Sequence, residues 1–250
     1  MEWRVLAKCH AAGSARPEHK HRTGQLIFAL GGVMLVKTGS MRWTVPPQRA
    51  LWIPAGHPHS IAMLSQVEMR TVYFQPALIE ACSGFLRKHE VHAVVASSLL
   101  KDLILGLFDE QRDVGTRSLM ARLVLHMLRE TACLPTFLPM PRNERLHGVL
   151  TMLIAANGWN MPVHEVASRA AMSERTFSRR FNADVGLTFR TWRQRARIIA
   201  SLDMLAANSP VKAIASTLQF ASSAAYVSAF RQLLGCAPNE FRDERRTNPP

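Results

Sequence analysis

Three histidines and a glutamine near the N-terminus have the side chains and the spacing to bind a metal ion. His19 and His21 are separated by one residue, so a strand that holds both points them to the same side. Gln25 and His59 complete the candidate set. Three imidazoles and an amide oxygen can hold a divalent transition metal such as zinc, nickel or iron. In the alternative interpretation these side chains line a polar pocket or end strands, and His57 is a loop residue.

A second group of side chains is suited to contacting nucleic acid. The stretch SERTFSRRFNADVG begins with Ser173, which can cap a helix, and ends with Gly186, which can terminate one. Phe177 and Phe181 are four residues apart and predict a core-facing stripe. Arginine can donate paired hydrogen bonds to guanine or to phosphate. The residues that we predict to contact DNA from this helix are Arg175, Thr176, Ser178, Arg179 and Arg180.

The pattern occurs a second time at a fixed offset. PVKAIASTLQF resembles PVHEVASRAAM, and SSAAYVSAFRQLLG resembles SERTFSRRFNADVG. Phe181 and Phe230 are 49 residues apart, as are Gly186 and Gly235. Two helix-turn-helix units would each place a second helix in the major groove, on one face of the DNA. The contacts predicted from the second unit are Ser222, Ser223, Ala224, Ser228 and Arg231.

The composition agrees with an anionic partner. The 250 residues include 31 Lys and Arg against 18 Asp and Glu, a formal net charge of +13, which favours nucleic acid over a membrane surface. The excess is divided almost evenly between the two halves, so charge alone does not locate the site. No apolar run is long enough to span a membrane, and MEWRVLAKCH lacks the apolar core of a signal peptide. The four cysteines have no CxxC spacing, so we expect reduced thiols in a cytoplasmic protein: Cys9, Cys82, Cys133 and Cys236.

The elements that must position these residues change in character along the chain. Residues 1–95 predict short antiparallel strands in a sandwich or barrel, with turns at Gly31-Gly32, Gly39-Ser40 and Pro46-Pro47. Residues 96–134 predict helices, because Leu, Ile, Val and Met recur at helical spacing. A proline-rich linker is predicted at 135–142, before an all-helical domain at 143–250. The predicted fold class is α+β with two domains.

Residues 162–246 resemble the DNA-binding domain of the AraC/XylS family of bacterial transcription regulators. The resemblance is carried by MSERTFSRRFNADVGLTFRTW, ARIIASLDMLAA and FASSAAYVSAFRQLLGCAPNEFR. It implies two helix-turn-helix subdomains joined by a long helix, bound to double-stranded promoter DNA, with RNA polymerase as a further partner. This chain has Gln219 where the family often has Gly, and Ser228 where it often has Arg. We therefore expect the first recognition helix to carry most base readout and the second mainly to position the domain.

Residues 19–59 resemble the cupin double motif. The first motif, HxH followed by Glu and Gly, is matched by the two histidines and Gly32, with Gln25 in place of Glu. The second motif, PxGxxH, is matched by Pro54, Gly56 and His59, although Met63 replaces a later Asn. Losing the carboxylate at Gln25 removes a negative ligand and argues against a catalytic metal.

The wider N-terminal segment also resembles an AraC-family subgroup that has a short cupin-type sensor domain and often regulates drug exporters. The resemblance implies an N-terminal cupin-like β-barrel that binds an effector, with flanking helices that pair between subunits of a homodimer. Helices packed only on their own barrel are the alternative. The candidate walls of the effector pocket are Phe28, Trp43, Trp52 and Phe74.

These observations predict a sequence-specific regulator, repressor or activator, that responds to a small molecule or metal and controls a gene such as one for an exporter. It is expected not to be an enzyme. Two alternatives stay open at this point. One is a metal-dependent cupin enzyme with an accessory DNA-binding module, and the other is a constitutive DNA-binding protein whose barrel only dimerises.

Overall fold

The computed structural model describes residues 2–47, 49–82, 90–130 and 137–243. The chain forms two compact units. The first, called the sheet unit here, comprises Met1–Gly39 and Trp43–Thr136, and the second, the helical unit, comprises Ser40–Arg42 and Phe137–Pro250. Cys133, Pro135 and residues 244–250, all included in the predictions above, lie outside the described residues.

The sheet unit is built from antiparallel strands. In chain order these are β1 (Trp3–His10), β2 (Ala15–His19), β3 (Gly24–Gly31), β4 (Met34–Thr38), β5 (Met41–Val45), β6 (Arg49–Ile53), β7 (His59–Met63), β8 (Val67–Phe74) and β9 (His92–Val95). One sheet has the order β1-β8-β3-β6-β9, and in the other β5, β4, β7 and β2 are neighbours. The three predicted turns are confirmed, since strands end at each of them.

A closed barrel, the predicted form of this domain, is not what the described residues make. β1 and β9 end the first sheet, so no described strand continues from one sheet into the other. Strand β3 shows that both faces of the first sheet are covered. Gln25 and Leu26 point to opposite faces of the sheet, yet both are buried, because each face is covered. The α+β class is confirmed, with a sandwich in place of the barrel.

Gly32, in register with the first cupin-like motif, is required by the turn after β3. Its φ is +78°, and a Cβ there would lie 2.0 Å from the backbone oxygen of Gln66. Any other residue would have to displace backbone, so this glycine fixes the path between β3 and β4.

Helices cover one face of the first sheet. They are α1 (Pro76–Ala81), α2 (Ser98–Gly106) and α3 (Val114–Glu130). Apolar residues of α2 and α3, including Leu100, Ile104 and Val124, form one buried cluster with strand residues. Two other α3 positions that were predicted at helical spacing face solvent, since Leu119 is 69% and Leu123 is 42% exposed.

The helical unit begins with β10 (Phe137–Pro139), inside the stretch predicted as a linker. Leu138 and Met140 are buried in the core of this unit, and the indole of Trp192 donates to the Pro139 carbonyl at 2.7 Å. Residues 138–141 are therefore buried in this unit. The linker bounds of 135–142 stay a prediction.

The remaining elements of the unit are helices: α4 (Glu144–Ala155), α5 (Val163–Arg169), α6 (Glu174–Val185), α7 (Phe189–Ala206), α8 (Val211–Thr217), α9 (Ser223–Leu234) and α10 (Pro238–Asp243). The pairs α5–α6 and α8–α9 are the two helix-turn-helix units, and α7 is the long helix between them. Phe177 and Phe181 are buried, as predicted, and they pack on Phe189 and Trp192 of α7. Among the described residues, no helix combines the length and apolar character needed to cross a membrane.

Candidate functional site

The two recognition helices, α6 and α9, begin and end in the same way. Ser173 Oγ accepts from Thr176 N at 3.3 Å, and Ser222 Oγ accepts from Ala225 N at 3.1 Å. Gly186 and Gly235 end the helices with φ of 74° and 78°. Left-handed glycine at the end of a helix satisfies terminal carbonyls at little steric cost. Both predicted ends of α6 are confirmed, and the two helices are equivalent in local structure.

The outer face of α6 carries most of its charge. Buried Phe177 and Phe181 fix which side of the helix faces the core. Thr176 is half-buried near the cap, and its amide is held by Ser173. The other side chains predicted to contact DNA from this helix are exposed: Arg175, Ser178, Arg179 and Arg180.

The outer face of α9 offers fewer donors. Ser222 already uses its oxygen as the helix cap, and Ser223 is half-buried. Ala224 and Ser228 are exposed, and Ala224 has no polar side-chain atom. Arg231 lies 3.6 Å from the carboxylate of Glu240, and both side chains are about 60% exposed. The structure therefore agrees with unequal capacity for base readout between the helices, while the contacts themselves stay a prediction.

In the sheet unit, His19, His21 and His59 come together, and we call them the histidine cluster. His19 is the last residue of β2 and is the register partner of His59, the first residue of β7. His21 lies two residues further on, and its carbonyl accepts from Gly56 N at 2.7 Å. That bond ties the loop of the second cupin-like motif to the first. One ring nitrogen from each histidine lies within 4.8 Å of the other two.

Hydrogen bonds orient two of these rings for ligation. His19 Nδ1 lies 2.7 Å from Pro17 O, and His59 Nδ1 lies 3.0 Å from His57 O. A carbonyl oxygen only accepts, so each Nδ1 carries the proton and each Nε2 presents a lone pair. Backbone partners of this kind hold metal-binding histidines in the correct tautomer.

Burial favours the neutral form of two of the three rings. Desolvation lowers the pKa of His59 to about 4, although the hydrogen bond to His57 opposes the shift. Desolvation, followed by the charges of His19, Arg4 and Arg16, also lowers the pKa of His21. Neutral imidazole is the form that binds a metal, so at His59 and His21 protonation competes little with ligation near neutral pH.

Further polar atoms face the cluster from the first sheet. The ring of Tyr73 lies edge-on to that of His21, with centroids 5.1 Å apart. Gln25 is buried, and its amide nitrogen donates to the Tyr73 hydroxyl at 3.4 Å. Gln25 Oε1, Thr71 Oγ1 and the Nε2 atoms of His21 and His59 are buried without a hydrogen-bond partner among the described residues. Unsatisfied buried acceptors are costly, so this set of donor atoms suits a bound cation or polar ligand.

Tyr73 and Thr71 were missed by sequence reasoning. Both lie on β8, where Tyr73 pairs with Gln25 and Thr71 pairs with Ile27 of β3. Only the strand register places them on the same face as Gln25, and no local motif marks them.

The structure does not bring the predicted aromatic pocket walls to the histidine cluster. Phe28, Trp52 and Phe74 belong to the buried cluster that α2 and α3 complete. Phe28 is an odd number of residues from Gln25 along β3, so the two side chains point to opposite faces. Trp43 is buried on β5, and its indole donates to Thr38 Oγ1 at 3.0 Å. A role for these four residues in effector binding stays a prediction.

Comparisons with known proteins agree with this arrangement. The chain matches the family profile described as an AraC-like ligand binding domain over residues 6–127, and the helix-turn-helix domain profile over residues 166–244. Over 243 residues it is 28% identical to the HTH-type transcriptional regulator NimR of Escherichia coli (strain K12), covering 95% of this chain and 87% of that protein. It is 26% identical over 103 residues to the HTH-type transcriptional regulator RipA of Corynebacterium glutamicum, covering 41% of this chain and 31% of RipA.

Among solved structures, the chain is similar to the DNA-binding domain of AdpA in complex with a target DNA. The identity is 28%, the TM-score is 0.40, and the match covers 42% of this chain and 96% of that one.

Proposed function

We propose that the chain is an AraC-family transcriptional regulator in which a metal ion held by the histidine cluster controls how the recognition helices bind promoter DNA. The observation that carries this proposal is the cluster itself. Three imidazoles converge, and two of them are fixed with Nε2 free.

His19, His21 and His59 would hold the metal through ring nitrogens, and Gln25 Oε1 is the candidate for a fourth ligand. Zinc, nickel and iron(II) all accept such a set. A metal bound there would be a Lewis acid able to take a further small ligand. The carbonyls of Pro17 and His57 orient the rings of His19 and His59, and burial favours the unprotonated form of His59 and His21.

On the DNA side, α6 supplies direct readout through its exposed arginines, and α9 mainly positions the unit. Coupling requires that the metal bind two states of the protein with different affinity, since a ligand with equal affinity for both shifts nothing. The proposed output is activation or repression of a target gene, with an exporter gene as the expected target and RNA polymerase as a further partner.

We further propose that the protein acts as a homodimer and has no catalytic turnover. The exposed leucines of α3, Leu119 and Leu123, support pairing with a second copy. Gln25 in place of a carboxylate supports the absence of turnover, because a catalytic cupin-type metal usually needs that negative ligand.

The experiment that tests the proposal begins with operator selection. The full chain, stripped of metal, selects duplexes from a random library with and without added Zn²⁺, Ni²⁺ or Fe²⁺. Affinity for the selected duplex is then titrated at fixed salt. A difference of about tenfold between metal-free and loaded protein, on the scale of ordinary allosteric coupling, is expected. Equal affinity in both states would instead support a constitutive DNA-binding protein.

A further inference from the structure

The turn of the second helix-turn-helix unit contains a backbone conformation that favours glycine but holds a glutamine. Gln219 follows α8 and has a φ of 58°. The conformation is the left-handed end of the helix, in which Gln219 N donates to Ser216 O and Phe220 N donates to Ala215 O. A residue with a Cβ costs more than glycine at such a position, so an interaction made by its side chain would offset part of that cost.

The side chain of Gln219 supplies that interaction. Its Oε1 accepts from Asn160 N at 2.9 Å, and its Nε2 donates to Asn157 O at 2.9 Å. Both partners are backbone groups between α4 and α5, about sixty residues earlier in the chain, at the entrance to the first helix-turn-helix unit. One side chain therefore joins the turn of the second unit to the entrance of the first.

The same two loops are each tied to the long helix between the units. Arg193 Nη1 donates to Met161 O at 2.6 Å, and Arg197 Nε donates to Leu218 O at 2.8 Å. The Arg197 guanidinium also stacks 3.8 Å above the Phe220 ring. These arginines are one helical turn apart on α7, so the helix binds one loop with each arginine. Gln219 then joins the two loops directly to each other.

We propose that Gln219 is a positioning residue that fixes the separation and orientation of the two recognition helices, and so sets the operator spacing that the protein accepts. The inference rests on the proposed binding of α6 and α9 to one DNA face. One added base pair moves a groove segment by roughly 3.4 Å and rotates it by roughly 35°. We expect a pair of units held by this bridge to follow that displacement less readily than a pair without it.

The chain contains a matched control at the equivalent turn of the first unit. Ala171 has a φ of 55°, its amide donates to Ser168 O, and Met172 N donates to Ala167 O. Ala171→Gly relieves the same backbone strain without removing a bridging side chain. Gln219→Gly relieves the strain and removes the bridge. Gln219→Glu keeps an acceptor for Asn160 N but places a carboxylate against the carbonyl of Asn157.

The test uses the full-length protein and the duplex that the wild type selects from a random library. Footprinting first identifies the two DNA segments that the protein protects. A second duplex then carries one extra base pair between these segments. For the wild type and for Ala171→Gly, the insertion should lower affinity by about tenfold, the scale of one mismatched base pair. For Gln219→Gly and Gln219→Glu, the insertion penalty should fall to about threefold or less. Both Gln219 variants should also bind the selected duplex more weakly than the wild type.

An unchanged insertion penalty in both Gln219 variants would overturn the proposal. Gln219 would then act as an ordinary surface residue, or as a direct phosphate contact if the slope of log affinity against log salt became shallower. Thermal unfolding of each variant tests whether it is folded at the assay temperature. If Gln219→Gly is unfolded there, the comparison is made with Gln219→Glu alone. Failure of the wild type to select any duplex would contradict the proposed function. That outcome differs from an unchanged insertion penalty, which would contradict only the positioning role of Gln219.

Discussion

His19 and His59 are register partners across β2 and β7, and their ring centroids lie 4.4 Å apart. Each ring is anchored in the same way, through Nδ1 to the carbonyl of the residue two positions earlier. The end of β2 and the start of β7 therefore place two Nε2 lone pairs next to each other. His21 completes the triangle, with centroids 5.0 Å from His19 and 5.4 Å from His59.

The first prediction concerns metal content. Untagged wild-type protein, purified without chelator, should carry about one transition metal per chain, and His19→Ala/His59→Ala protein should carry none, because removing two of three imidazoles destroys the site. The measurement is elemental analysis by mass spectrometry. His57→Ala is the matched control, since His57 lies outside the cluster and supplies only its carbonyl. Equal metal in wild type and double variant would locate the metal elsewhere. No metal in any sample would make the histidines part of an organic effector pocket.

The second prediction compares the two recognition helices. Arg179→Ala should weaken binding to the selected operator by about tenfold or more, the usual cost of losing a base-reading arginine. Ser228→Ala should change affinity by about threefold at most, because the serine makes a weaker donor on a donor-poor helix. Titration at fixed salt measures both. Arg112→Ala removes the same charge from the sheet unit, where the arginine pairs with Asp109 at 3.0 Å, and controls for net charge. Equal losses from Arg179→Ala and Ser228→Ala would contradict the unequal division of readout.

The recognition helices were predictable because their signals are local. Ser173, Phe177 and Gly186 specify the start, the buried face and the end of α6 within one short segment, and each is confirmed. The histidine spacing was similarly informative, because the cupin-like motifs carry the turns that bring their histidines together.

Long-range register limited the rest of the prediction. Phe28 and Gln25 are three residues apart on β3, yet they point to opposite faces, and the pattern does not show which face receives the helices. Tyr73 joins the site only through the pairing of β8 with β3. Gln219 was recognised as a departure from glycine. Its partners at Asn157 and Asn160 could not be predicted, because they depend on how the two helix-turn-helix units pack.

The third prediction uses a half-buried carboxylate on α7. Desolvation raises the pKa of Asp203, and its Oδ1 is buried without a partner among the described residues. Because the folded pKa lies above the ordinary value of 3.8, the ionised form costs stability at neutral pH. That cost disappears as the pH falls through the raised pKa, where the folded protein takes up the proton. Asp203→Asn should therefore raise the melting temperature at about pH 7.5, and the gain should shrink as the pH falls toward the ordinary pKa of 3.8.

Differential scanning calorimetry of wild type and variant across that range measures the effect. Asp102→Asn, at an exposed position on α2, is the control and should leave the melting temperature nearly unchanged at every pH. A gain from Asp203→Asn that is independent of pH would show that the carboxylate is not the destabilising group.

The fourth prediction is that the protein dimerises through the outer face of α3. Leu119 and Leu123 are one helical turn apart and are 69% and 42% exposed, while Val124 and Leu128 of the same helix are buried in the core of the sheet unit. Burying both leucines against a second copy would remove apolar surface from water, at roughly 25 cal/mol per Å². Sedimentation velocity at about micromolar concentration should give a dimer for the wild type and a monomer for Leu119→Glu, because a charge at the contact is not paired there. Met152→Glu, which charges another exposed apolar position on α4, should remain dimeric. A monomeric wild type would contradict the dimer, and a Leu119→Glu variant that stays dimeric would place the interface on another surface.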